Sequence, residues 1–184
     1  MTDRERAANL LGALALAVTD QTAVAVGGPA GQSASAAAAL CALYHFLDRP
    51  NLDRLRQVLG LTHSGAVRLV DRLAAARLVT RGPGGDGRSR TVLLTDEGRR
   101  VAAEISAARA GVLTGLLDGL SPAELATLHA LLGRVTANLV REKDGGAWIC
   151  RLCDLAACGR ADGACPAANA AVARYGPVPG DAHR

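Results

Sequence analysis

Apolar residues recur along this chain at spacings of three and four, with one stretch near the middle where the period falls to two. Ala7, Leu10, Leu11, Leu14, Val18 and Gln21 trace one face of a first helix ending near Gly27-Gly28-Pro29. Leu40, Tyr44 and Leu47 share a face of a second helix, Ser33 to Leu47, which Arg49-Pro50 stops. Asn51 is a good cap for a third, Leu52 to Leu59, with Leu52, Leu55, Val58 and Leu59 on one side. After the turn at Gly60-Leu61, Thr62 caps a fourth, in which Ala66, Leu69, Val70 and Leu73 keep helical spacing. The period then changes. Leu78-Val79-Thr80-Arg81 reads as one strand and Ser89 to Leu94 as another, around a glycine-rich tip from Gly82 to Gly87. Thr95 caps a long helix carrying Val101, Ile105, Ala108, Val112 and Leu116. Ser121-Pro122-Ala123-Glu124 opens the next, with serine as cap, proline in the first turn and glutamate closing a capping box. In it Leu125, Leu128, Leu132, Val135 and Leu139 form a coiled-coil-like seam. The pattern predicts a mainly α chain with a small β-hairpin.

The polar faces give these elements a purpose. The fourth helix turns Thr62, His63, Ser64, Gly65, Arg68 and Arg72 outward, and the hairpin carries Arg81, Arg88 and Arg90. A helix with a small polar front and a basic flank suits a DNA major groove, and the following basic hairpin completes a winged helix-turn-helix. The run Gly60-Leu61-Thr62-His63-Ser64 through Arg68-Leu69-Val70-Asp71-Arg72-Leu73 resembles the recognition helix of the multiple-antibiotic-resistance regulator (MarR) family. Asp86-x-Arg88, five further residues, Leu94-Thr95 and then Gly98 resemble that family's wing. The resemblance extends over residues 2 to 140 at the level of helix order, with motif-grade likeness only in the central stretch. His63, Gly65 and Val67 depart from the residues common in the family, which bears on sequence preference. The resemblance implies that Arg88 enters the minor groove while Asp86 steadies a neighbouring basic side chain. Thr62, His63, Ser64 and Arg68 are the candidates for base edges, Arg68 for guanine, with Arg72 and Arg77 at phosphates or in internal ion pairs and Arg90 at the DNA backbone.

Charge placement agrees. The formal net charge is only +4, but residues 44 to 100 hold eleven arginines against six Asp and Glu, so all the positive excess lies in this region. Aromatic residues make up 2% of the chain, which argues against single-strand binding by base stacking.

The apolar run Leu10 to Val18 follows Arg4 and Arg6 as a signal peptide's would, yet Asp3 and Glu5 offset those charges and the run is too short to cross a bilayer. A cytoplasmic protein without a membrane partner is expected. The terminal helices hold more apolar surface than one small domain can use. Family resemblance turns this toward an intertwined homodimer of the first helix and the last two, whose recognition helices, about 34 Å apart, read a near-palindromic double-stranded operator. The expected domains are residues 1–140, with the DNA-reading part at 33–95, and a separate segment, 141–184.

That last segment holds four of the five cysteines, Cys150, Cys153, Cys158 and Cys165, spaced C-x2-C-x4-C-x6-C. Four thiolates with a two-residue gap at the start suit tetrahedral zinc. An iron–sulfur cluster also takes four cysteines, though with other spacings, and C-x-x-C pairs are redox-prone. Cys165-Pro166 is placed to start a helix to Arg174 closed by Gly176. Cys41 reads as a buried filler, His45 as a structural residue without an obvious partner, and His129 and His183 as weak ligand candidates. The leading reading is a dimeric transcriptional regulator, a repressor released by a small-molecule effector or a redox or metal signal. The alternative is a redox sensor or a thiol- or metal-dependent enzyme acting through the cysteines. No catalytic Ser/His/Asp set or phosphate loop can be argued from spacing, so the chain is not expected to be an enzyme.

Overall fold

The computed structural model describes residues 2–27, 33–84, 90–140 and 148–176. Among these described residues, eight α-helices, one hairpin and a 3-10 turn follow in order: α1 (Asp3–Gly27), α2 (Ala34–His45), α3 (Leu52–Leu59), α4 (His63–Ala75), β1 (Val79–Pro83), β2 (Arg90–Leu94), α5 (Asp96–Gly115), α6 (Pro122–Leu139), the 3-10 turn Ile149–Leu152, α7 (Leu155–Cys158) and α8 (Pro166–Tyr175).

Local chemistry sets most of these boundaries. Asn51 Oδ1 accepts from Arg54 N at 2.8 Å, and Thr62 Oγ1 from Gly65 N at 3.1 Å. Thr95 Oγ1 accepts from Gly98 N at 3.0 Å, and Ser121 with Glu124 forms a reciprocal capping box. Gly60, at φ 64°, closes α3 in the left-handed conformation, so the turn into α4 needs glycine. Two elements differ from the sequence reading. The second helix stops at His45, because Leu47 N–H turns back to the Ala42 carbonyl at 2.8 Å and leads the chain out before Pro50. The first strand starts one residue later, at Val79, and runs on to Pro83, while Leu78 serves as its buried foot. Ser89, expected to begin the second strand, lies outside the described residues.

The hairpin pairs antiparallel, from Val79 opposite Leu94 to Pro83 opposite Arg90. Val92 N–H also donates to the Pro50 carbonyl, and Asn51 bridges to Thr91, so the entry to α3 adds a short third edge. The core joins these pieces: the side chains of Leu40, Leu55, Val58, Leu69, Val70, Leu73 and Ile105 are almost wholly enclosed. Gly98 lies where α5 presses on the foot of the hairpin. A Cβ there would come within 1.9 Å of the Leu78 carbonyl oxygen, so no other residue fits without displacing the backbone.

Outside this core the picture reverses. In α1, of 25 residues, only Val26 is buried, and Leu10 and Leu14 are 69% and 50% exposed. α6 buries no residue and leaves Leu125, Leu131, Leu132, Val135 and Leu139 open. The short apolar run noted in the sequence lies inside a helix that is long and apolar enough to cross a membrane by length and composition, with a mean hydropathy of 1.5 over its best window. That helix packs its C-terminal part against α5 and α2.

Candidate nucleic-acid interface

The third and fourth helices cross through Leu55, Val58, Leu69 and Leu73, which leaves the opposite side of α4 bare. Thr62, His63, Ser64, Arg68 and Arg72 are exposed there together, and Gly65 and Val67 are half-buried. The Thr62 oxygen is committed to the cap and stands 3.4 Å from Ser64 Oγ, so its free hydroxyl proton is what it can offer a base. His63 Nδ1 lies 3.9 Å from Asp53 Oδ1. The Arg56 guanidinium, donating to Asp53 at 2.8 Å, holds that carboxyl below its ordinary range, so a negative charge is kept beside His63. Among the described residues no ion pair engages Arg68 or Arg72, leaving both guanidinium groups available to a groove.

The hairpin stands alongside. Arg81 and Arg90 are exposed on β1 and β2, whereas Asp86 and Arg88 lie outside the described residues. A contact the sequence did not disclose ties the two parts: Arg81 Nη2 donates to Asp71 Oδ1 at 2.5 Å, joining the wing strand to α4. The steadying carboxylate seen here is therefore on α4. Gly82 contributes closeness, since a Cβ at that point would stand 2.6 Å from Leu93 Cδ1. The result is a polar, basic rod with a positively charged strand pair fixed at its side, which is the docking shape of a winged helix on duplex DNA.

Residues 31–89 match the sequence profile of the MarR family. Among solved structures, the transcriptional regulator PA3341 is 28% identical with a TM-score of 0.59, covering 72% of this chain and 96% of its own. The apo form of MarR from E. coli is 25% identical at a TM-score of 0.56, covering 68% of this chain and 96% of its own. Residues 31–89 and the fold they build are similar to those of the MarR family. A MarR family protein from Bacillus stearothermophilus, 20% identical, shares the fold at a TM-score of 0.67 over 76% of this chain and 98% of its own. No protein of curated function matches the sequence. The profile and the fold to which this chain is similar are those of DNA-binding transcriptional regulators.

Behind the MarR-type reading head lies a second group of polar residues. His45, expected to lack a partner, has its Nε2 2.8 Å from Ser106 Oγ and its Nδ1 3.9 Å from Asp154 Oδ1. Tyr44 meets the same ring edge-on, at 4.9 Å between centroids. Cys41 Sγ is 3.7 Å from Ser106 Oγ, and burial pushes that thiol's pKa up, as suits a core filler. Serine, histidine and carboxylate in this order resemble a hydrolase set. However, Ser106 sits inside α5, where neighbouring backbone N–H groups are committed to the helix and supply no oxyanion donors. The group lines a cleft of about 250 Å³ between α2, α5 and the start of the tail, with Arg109 and Leu152 on its other walls.

The cysteine tail follows its sequence reading at the level of elements. Cys165 caps α8, Pro166 is its first residue and Gly176 ends it. Cys150 and Cys165 are buried, Cys153 and Cys158 half-buried. Cys153 Sγ lies 4.0 Å from the Ile149 carbonyl and Cys158 Sγ 3.5 Å from that of Leu155. Cys153 and then burial push the Cys150 thiol up, while Cys150 pulls Cys153 down to about 6. Among the described residues, no group of three or more His, Cys, Asp or Glu stands converged in a ready-made metal site. His129 is exposed on α6, and His183 lies outside the described residues.

Proposed function

We propose that this regulator is a homodimeric repressor that reads a near-palindromic operator and leaves it when an effector occupies the cleft beside His45. The observation that carries the reading is the exposed front of α4, with Arg68 and Arg72 unpaired by the described acids, held beside Arg81 and Arg90 of the wing. Thr62, His63, Ser64 and Arg68 read base edges, and Arg72 and Arg90 contact phosphates. Asp86 and Arg88 take the wing-tip role the family resemblance implies. Dimerisation rests on the uncovered leucines of α1 and α6, which water does not favour and a second copy would bury. The same burial would keep α1 out of a bilayer and the protein in the cytoplasm. We divide the chain at residue 140, with 33–95 as the reading part and 141–184 as an appended segment. A small molecule wedged between α2 and α5 would alter the angle at which the reading head leaves the dimer helices.

Gel-shift titration with duplexes from the source genome tests this. Arg68→Ala and Arg88→Ala should each weaken binding to the selected site more than tenfold while leaving the dimer intact. Affinity should also fall steeply with salt. Binding that is unchanged in both variants, or equal for random duplex, would overturn the assignment.

A further inference from the structure

The cleft beside His45 carries charges that the fold itself leaves unused. Ala103, Ser106, Ala107 and Ala110 fall at helical spacing on one face of α5, a floor of methyl groups with one hydroxyl. Arg109 lines the same space from α5, and Asp154 faces it from the tail. Leu152, in the same wall as Asp154, also packs against the main core, so that wall is seated on the reading head.

Each charge is held, and the two are held apart. Asp154 Oδ1 caps α7 by accepting from Ala156 N at 2.8 Å and Ala157 N at 3.4 Å. Its other oxygen takes no hydrogen bond among the described residues. His45 Nδ1 comes only to 3.9 Å from that carboxylate, and its far nitrogen is anchored on Ser106 Oγ at 2.8 Å. The half-buried Arg109 makes no ion pair among the described residues, with Asp154 or with any other acid. A guanidinium and a carboxylate thus share one cleft without neutralising each other. Opposite charges partly withdrawn from water gain by contact, so the gap between them is a place for a molecule that meets both.

That requirement selects the ligand. An anion alone would lie against Asp154, and a cation alone against Arg109, each at the cost of facing a like charge. The cleft encloses about 250 Å³, below the range of about 300–1,000 Å³ for drug-sized sites, which suits a small metabolite. We propose that the cleft binds an aliphatic amino acid as its zwitterion, the carboxylate on Arg109 and the ammonium on Asp154. The planar guanidinium donates two parallel N–H bonds to the ligand carboxylate. The free oxygen of Asp154 accepts from the ammonium, and the alanine face of α5 takes up the methylenes. No covalent bond is made or broken. The ligand's class rests on the effector reading of the cleft and adds the charges that reading did not use. It also gives the tail a task, because a ligand drawing Asp154 toward α5 pulls on a segment whose other end, α8, packs on α6.

Calorimetric titration of the full chain with glycine, β-alanine, γ-aminobutyrate and ε-aminohexanoate varies the charge spacing, with butyrate and butylamine as one-ended controls. One zwitterion should bind roughly tenfold or more tightly than both controls, the worth of a charged hydrogen bond. Arg109→Gln and Asp154→Asn should each remove that advantage; glutamine suits a helix and asparagine caps one, so both variants should fold. Asp162→Asn, at an exposed tail carboxylate outside the cleft, should leave the advantage unchanged. Butyrate or butylamine binding as tightly as every zwitterion, no measurable binding of any of the four, or an advantage that survives both substitutions would overturn the site. Ligand binding is measured without DNA, so loss of the operator reading leaves this result intact. A zwitterion that binds yet leaves DNA affinity unchanged would support the site and overturn only the release assigned to the cleft.

Discussion

The reading head and the structure around it are stabilised in opposite ways. Between α2 and the first half of α5, apolar side chains meet one another: Leu40 and Leu55 are wholly enclosed, and Leu69 and Leu73 nearly so. In α1 and α6, apolar side chains of the same kind meet solvent, and the tail has only the small buried cluster of Val140, Cys165, Ala167 and Ala171. The contrast shows that one part buries its apolar surface within a single chain while the other leaves it open, as the proposed dimer would require. In that proposal the part that reads sequence stays rigid while the part that depends on a partner can be adjusted.

The comparison can be broken most forcefully at α6. A double change, Leu132→Glu with Val135→Glu, should convert the dimer to monomer and abolish operator binding, as sedimentation and gel-shift would show; it should leave the thermal transition of the reading head in place. Next in size, Leu73→Ala should destabilise the head by about 2–5 kcal/mol in urea unfolding, the usual cost of a cavity at a filled site. Asn51→Ala removes the cap of α3 and should cost about 1 kcal/mol in the same assay. Arg81→Ala frees the wing from Asp71 and should weaken DNA binding a few-fold while scarcely altering stability, because the pair is exposed. Smallest is the pH effect at Glu124. Its carboxyl is held below the ordinary value by the Ser121 hydroxyl and then by the Ser121 backbone N–H. Its folded pKa being depressed, its contribution is present above the ordinary carboxylate value and fades as pH falls through the lowered one. Acid unfolding of Glu124→Gln should show that slight dependence removed.

Much of the fold was legible because its signals are local. Asn51, Thr62, Thr95 and Ser121 each cap a helix three residues ahead, and the capping box, the Gly60 turn and Cys165-Pro166 at the start of α8 are likewise short-range. The exposed face of α4 was legible for the same reason: a period of 3.6 separates buried Leu69 and Leu73 from open Arg68 and Arg72. What escaped depends on residues far apart in the chain. Asp71 and Arg81 are ten apart, Val140 and Arg174 thirty-four, His45 and Ser106 sixty-one, and no periodicity announces such meetings.

Gly98 gives the molecule a lever. Because α5 rests on the Leu78 carbonyl with no room for even a methyl group, the helix and the base of the hairpin turn as one piece. The shaft is 20 residues long, roughly 30 Å at the rise of an α-helix. A tilt of a few degrees where α5 approaches α6 would therefore swing the DNA-facing end by a distance comparable to the tolerance of a groove contact.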